Sequence, residues 1–138
     1  FLDAEVRDGV TRFGYYEQFG RRVESIRSEL LALLRSLKDD GATVAAYGAA
    51  AKGSTLVNYV GIGPKLVDFV VDRNVHKHGL HMPGTHIPIK DPSELLDKQP
   101  DDVLLLAWNY RDEVLAQQSE YVSRGGRFIV PVPRPHFV

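Results

Sequence analysis

With 138 residues, 43% hydrophobic and 25% charged, the chain has the size and balance of one domain around one core. A formal net charge of -1 gives no electrostatic footprint for nucleic acid or an anionic membrane, and no apolar run approaches the roughly 20 residues that span a bilayer. There is no cysteine, which excludes a disulfide framework and thiolate metal ligands and agrees with a reducing, cytoplasmic location.

The opening Phe1-Leu2-Asp3-Ala4-Glu5 lacks the basic start and apolar centre of a signal peptide, and a start at Phe1 rather than Met reads as a piece of a longer polypeptide. Between 10 and 37, Val10, Phe13, Tyr16, Phe19, Val23, Ile26, Leu30, Leu33 or Leu34, and Leu37 recur at steps of three or four. That spacing predicts one face of a long amphipathic helix, broken or bent near Gly14 or Gly20 and closed by Gly41. Its charged face reads as solvated, and Phe13, Tyr16 and Phe19, farthest from Gly41, are expected to overhang this domain and meet a neighbour.

After Gly41 strands and helices alternate. Strands are predicted over 43–47, 66–71, 85–89, 103–108 and 127–132, with helices over 52–60, 92–97 and 112–123. Asp91 is the N-cap candidate of the second helix. Apolar strands alternating with helices call for an α/β, mostly parallel sheet of about five strands covered on both faces, a Rossmann-like three-layer fold ordered 3-2-1-4-5. The chain thus divides into a helix and linker over 1–41 and a Rossmann-like domain over 42–138.

Val44-Ala45-Ala46-Tyr47-Gly48-Ala49-Ala50-Ala51-Lys52-Gly53-Ser54-Thr55 reads as a buried strand turning tightly into a helix. Against the fingerprint G-x-G-x-x-G the positions are Gly48, Ala50 and Gly53, and the open helix N-terminus with Lys52 suits a phosphate. The alternative is a tight turn with no ligand.

Ligands of doubly wound sheets sit beyond the carboxyl ends of the strands. There the topology would gather Gly48, Ala51, Lys52, Gly53 and Ser54; Asp72, Arg73, Asn74 and Lys77; His86; and Trp108, Asn109 and Tyr110. Asp72, 24 positions after Gly48, suits a ribose hydroxyl or an Asx cap of its own turn. Trp108 would stack on a flat ring or plug the sheet, and Asn109 would bind ligand or cap the following helix. His76, His78, His81 and His86 crowd together without an acidic partner at helical spacing and are not read as a metal site. No nucleophile–base pairing or Walker pattern can be assembled, so the residues point to binding rather than catalysis.

Five motifs in order carry a family resemblance: Tyr47-Gly48-Ala49-Ala50-Ala51-Lys52-Gly53; Val71-Asp72-Arg73-Asn74 with Lys77 and Gly79; Pro83-Gly84-Thr85-His86-Ile87-Pro88-Ile89; Leu106-Ala107-Trp108-Asn109-Tyr110; and Gly126-Arg127-Phe128-Ile129-Val130-Pro131. Together they resemble the C-terminal domain of S-adenosylmethionine-dependent C-methyltransferases acting on nucleotide-linked deoxysugars, from about Phe13 to the end. The resemblance implies a three-part enzyme with an N-terminal zinc module, a central methyl-donor domain that carries the general base, and this domain as a wall of the nucleoside-diphosphate-sugar cleft. This chain would then hold neither S-adenosylmethionine nor zinc, would be inactive alone, and would partner the preceding methyl-donor domain. Two other classes stay open: a free-standing NAD or nucleotide module, and a structural domain that forms a homodimer through the long helix.

Overall fold

The computed structural model describes residues 13–138, with side chains from Gly20 onward. The described part of the first helix, α1, spans Phe13–Asp39 and runs unbroken through Gly14 and Gly20. Val10 and the side chains of Phe13, Tyr16 and Phe19 lie outside the described residues. Gly41, at φ +83°, ends α1; its N–H donates to Lys38 O, and that of Ala42 to Leu37 O. Those bonds satisfy the last carbonyls of the helix.

Six strands form one sheet: β1 Val44–Tyr47, β2 Val70–Val71, β3 Ile89–Lys90, β4 Asp102–Leu105, β5 Arg127–Val130 and β6 His136–Phe137. Their order is β3-β2-β1-β4-β5-β6. The first five pair parallel, as the 3-2-1-4-5 order requires, with Tyr47 opposite both Val71 and Leu105. β6 pairs antiparallel with β5, so the sheet is mixed. Among the described residues the other α-helices are α2 Ala51–Val60, α3 Glu94–Lys98, α4 Arg111–Gln117 and α5 Ser119–Ser123.

Strand alternation sorts the core into two layers. Val44 and Ala46 of β1, Leu104 of β4 and Ile129 of β5 face Leu30 and Leu34 of α1 and Val57 and Val60 of α2. Ala45 and Tyr47, Val103 and Leu105, and Phe128 and Val130 face Leu95 of α3, Val114 of α4 and Tyr121 of α5. The last turns of α1 therefore belong to the same core as the sheet. Arg134 of the tail also pairs with Glu29 of α1 at 3.1 Å.

Several predicted bounds shift, each for a local reason. The 66–71 strand shortens to Val70–Val71, because the N–H groups of Leu66 and Val67 donate back to Gly63 O in a turn. The 85–89 strand begins only at Ile89, since Thr85 and His86 both donate to Met82 O in another turn. The 103–108 strand is Asp102–Leu105, after which Trp108–Tyr110 forms a 3₁₀ turn. The 112–123 helix divides at Gln118, whose φ of -104° and ψ of 26° leave the helical region. The 127–132 strand ends at Val130 before Pro131, and the tail then returns as β6, which the sequence reading lacks. Asp91 caps the Pro92–Ser93 turn through Ser93 N–H at 2.9 Å, and the helix starts after it, at Glu94.

Candidate functional site

The carboxyl ends of β1, β2 and β4 meet around Gly48. Gly48 has φ +102°, and a Cβ there would stand 3.0 Å from Ala107 Cβ. Gly53, in the first turn of α2, lets the helix lie against β4: a Cβ would stand 2.8 Å from Leu106 Cβ and 3.0 Å from Gly48 O. Ala50 is the N-cap, with extended backbone and no side-chain cap, and the first backbone bond back into the loop is Ser54 N–H to Ala50 O. The leading N–H groups of α2 therefore have no capping side chain, which suits an anion. Lys52 is exposed beside them, its Nζ 5.0 Å from the centre of the half-buried Trp108 ring, at cation–π range.

Much of the remaining polar set holds this loop in shape. Asp72 Oδ2 accepts from Ala49 N–H at 2.7 Å, and Oδ1 accepts from Asn74 N–H at 2.8 Å. The second bond is the Asx cap that the sequence left as one alternative, and the first ties β2 to the glycine turn. Lys77 Nζ donates to Ala49 O at 3.0 Å, and His78 Nε2 lies 2.6 Å from Asp72 O. Asn74 Oδ1 caps the 3₁₀ turn Val75–Lys77 through His76 N–H at 3.0 Å. Two charged side chains thus clamp Ala49 from either side.

The other candidates divide. Ser54 is half-buried; its carbonyl accepts from Asn58 Nδ2 at 2.8 Å, and the same amide donates to Pro83 O at 3.0 Å. That bridge brings the turn bearing His86 to α2. His86 itself is exposed at φ +62°, and among the described residues no side-chain bond joins it to the loop. Arg73 is exposed beside Asp72. Asn109 sits inside the Trp108–Tyr110 turn, while Tyr110 is the N-cap of α4 without a side-chain bond. Capping, the alternative reading of Asn109, is therefore not what it does.

Between β1, β2 and α4 lies an open cleft of about 300 Å³, lined in part by Tyr47, Gly48, Arg73, Tyr110, Glu113 and Gln117. Tyr47, Glu113 and Gln117 were not among the sequence candidates. The signal available for Tyr47 was a phenol ending an otherwise apolar strand. Tyr47 is 4% exposed, and its hydroxyl is buried without a hydrogen-bond partner among the described residues. Burial pushes that hydroxyl above its ordinary pKa, opposed chiefly by the Arg73 charge and also by the neighbouring Gln118 amide. Among the described residues no group of three or more metal-binding side chains converges, and no helix is long and apolar enough to cross a membrane.

A family model described as the C-methyltransferase C-terminal domain matches residues 1–133. The chain is also 40% identical over 137 residues to C-methyltransferase NovU of Streptomyces niveus. That match covers 99% of this chain and 33% of the relative, so the chain spans about a third of the curated protein it matches. The glycine turn, its Asp72–Lys77 clamp and the uncapped α2 are thus features of a chain that belongs to the C-methyltransferase C-terminal domain family.

Proposed function

We propose that this chain is the substrate-binding part of a methyltransferase that alkylates a carbon of a nucleoside-diphosphate-linked keto-deoxysugar. On this reading the Rossmann-like domain supplies one wall of the cleft. S-adenosylmethionine and zinc would belong to other domains of a longer polypeptide, and the methyl-donor domain would close the opposite wall. The observation that carries the reading is the uncapped N-terminus of α2 with Lys52 beside it, on a turn whose Ala49 is bonded by both Asp72 and Lys77. Uncapped N–H groups and an exposed ammonium complement a diphosphate and repel a sulfonium.

The test is calorimetric titration of the full-length protein with a nucleoside diphosphate. Lys52→Ala is expected to weaken binding by about 1.5–3 kcal/mol, the scale of a charge-assisted hydrogen bond, while the melting temperature stays put. Equal affinity of variant and wild type would overturn the phosphate role. Micromolar binding of S-adenosylmethionine to this chain alone would overturn the division of labour.

A further inference from the structure

Lys52 stands where a cation is least favoured. It is the second residue of α2, at the positive end of the helix dipole, and no acidic residue shares that first turn. Arg27 and Arg127 also lie over aromatic rings, but each is paired with a carboxylate as well, Glu24 and Asp102. Among the described residues Lys52 has a ring alone, its Nζ 5.0 Å from the centre of Trp108. That ring is well anchored. The N–H groups of Leu106 and Ala107 both donate to Tyr47 O, at 2.9 and 3.3 Å, which fixes the backbone leading into Trp108 beside β1. Trp108 then packs against the core layer of α3, α4 and α5, whereas Val57 and Val60 of α2 belong to the opposite layer. The contact therefore reaches around the carboxyl end of the sheet from one layer to the other.

The chemistry of the partner matters as much as its place. A carboxylate there would hold the ammonium more strongly, but it would cancel the charge and repel an incoming anion. A π face attracts the ammonium through its quadrupole and carries no net charge. It also covers one side of the group, so N–H donors remain for a ligand. An exposed lysine loses much of its rotamer freedom when it grips an anion, and one that already rests on a ring loses less.

We propose that Trp108 is a positioning residue for Lys52: its ring holds the ammonium in place beside the N-terminus of α2, fully charged and open to an anion, before the ligand arrives. The proposal rests on the diphosphate reading of the α2 turn and adds to it the group that orders the cation.

Calorimetric titration of the full-length protein with inorganic pyrophosphate, run as a double-mutant cycle, tests it. Trp108→Leu keeps an apolar side chain but removes the ring, and should weaken pyrophosphate by about three- to fivefold, the scale of an exposed cation–π contact. Trp108→Phe, which keeps a ring face, should recover most of that loss. In a Lys52→Ala background Trp108→Leu should change nothing further. A loss from Lys52→Ala with none from Trp108→Leu overturns the positioning role and leaves the diphosphate reading standing. So does an equal loss from Trp108→Leu in both backgrounds, because the ring would then act without the lysine. If Lys52→Ala binds like wild type, or if the wild type binds no pyrophosphate, the diphosphate reading falls and the proposal with it. Should the leucine variant fail to fold, the proton resonances of the Lys52 ε-methylene decide. Stacking on the indole should shift them upfield in the wild type and keep them there in the pyrophosphate complex, and ordinary positions in either state overturn the proposal.

Discussion

The two edges of the sheet use the same kinds of residue to opposite ends. At the amino edge, Thr43 N–H and Oγ1 both donate to Asp101 Oδ2, at 2.8 and 3.2 Å, and Asp101 N–H returns a bond to Thr43 Oγ1 at 3.1 Å. Tyr121 Oη donates to Pro100 O at 2.7 Å, and Arg127 Nε pairs with the fully buried Asp102 at 2.9 Å. At the carboxyl edge, α2 begins without a side-chain cap and, among the described residues, Tyr47 Oη is unpaired and Lys52 rests on the face of Trp108. Open volume does not separate the edges. A cleft of about 310 Å³ lined by Thr43, Asp68, Phe69, Lys90, Lys98 and Pro100 matches the 300 Å³ beside Gly48. There, however, Asp68 is paired with Lys38 at 3.5 Å, and Lys90 lies over the Phe69 ring.

Unpaired atoms alone do not separate the edges either. Asp102 Oδ2 and Gln99 Oε1 of the amino edge are also buried without partners. Each is the spare acceptor of a side chain whose other polar atom is bonded, to Arg127 and to Tyr121 O respectively. The Tyr47 hydroxyl, like that of Thr85 in the turn before β3, has no second polar atom to hold it, and each of these residues lines a cleft. The lesson is that a site is marked by polar groups left over after the chain has satisfied itself, gathered where a cavity already exists.

The comparison can be broken most severely at Asp72. Its two backbone bonds are charge-assisted, so Asp72→Ala is expected to lower stability by about 2–3 kcal/mol and to abolish nucleotide binding, read by denaturant melts and calorimetry. If stability holds and only binding falls, the carboxylate works for the ligand and not for the loop. Next in size is Gly53→Ala, which must push α2 off Leu106. It should cost about 2 kcal/mol, with a matching loss of protection in the amides of α2 measured by hydrogen exchange. An unchanged exchange pattern would mean that the helix already stands clear of β4.

A smaller effect sharpens the contrast between the edges. Tyr121→Phe removes a paired hydroxyl and strands the Pro100 carbonyl, for an expected loss of about 1–2 kcal/mol. Tyr47→Phe removes a hydroxyl without a partner among the described residues, so unfolding free energy should stay within about 0.5 kcal/mol of wild type, or rise. Parallel urea melts decide it. Equal losses in both variants would show that Gln118 or another neighbour already satisfies Tyr47, and the difference drawn between the edges would collapse.

Local pattern was enough for the five parallel strands and their order. Buried strands announce themselves as short apolar runs, and parallel pairing follows because helices intervene, so the order around β1 could be written from residues 43–130 without coordinates. The glycine turn was equally readable, since only a residue without a Cβ accepts φ +102° beside Ala107 or the close approach to Leu106. The five ordered motifs pointed to the family for the same reason: they are contiguous in sequence. What depends on residues far apart was not readable. β6 exists because the tail meets β5 in space; the split at Gln118 and the late start of β3 follow from turns whose apolar residues mimic strand and helix. The sequence left Asp72 between a ribose contact and a cap; the structure shows its carboxylate on the Ala49 and Asn74 N–H groups, with Lys77 on the Ala49 carbonyl. Residue type states what a polar group can bond; only the tertiary structure, by setting which partners lie within 3 Å, decides which groups are left free for a ligand.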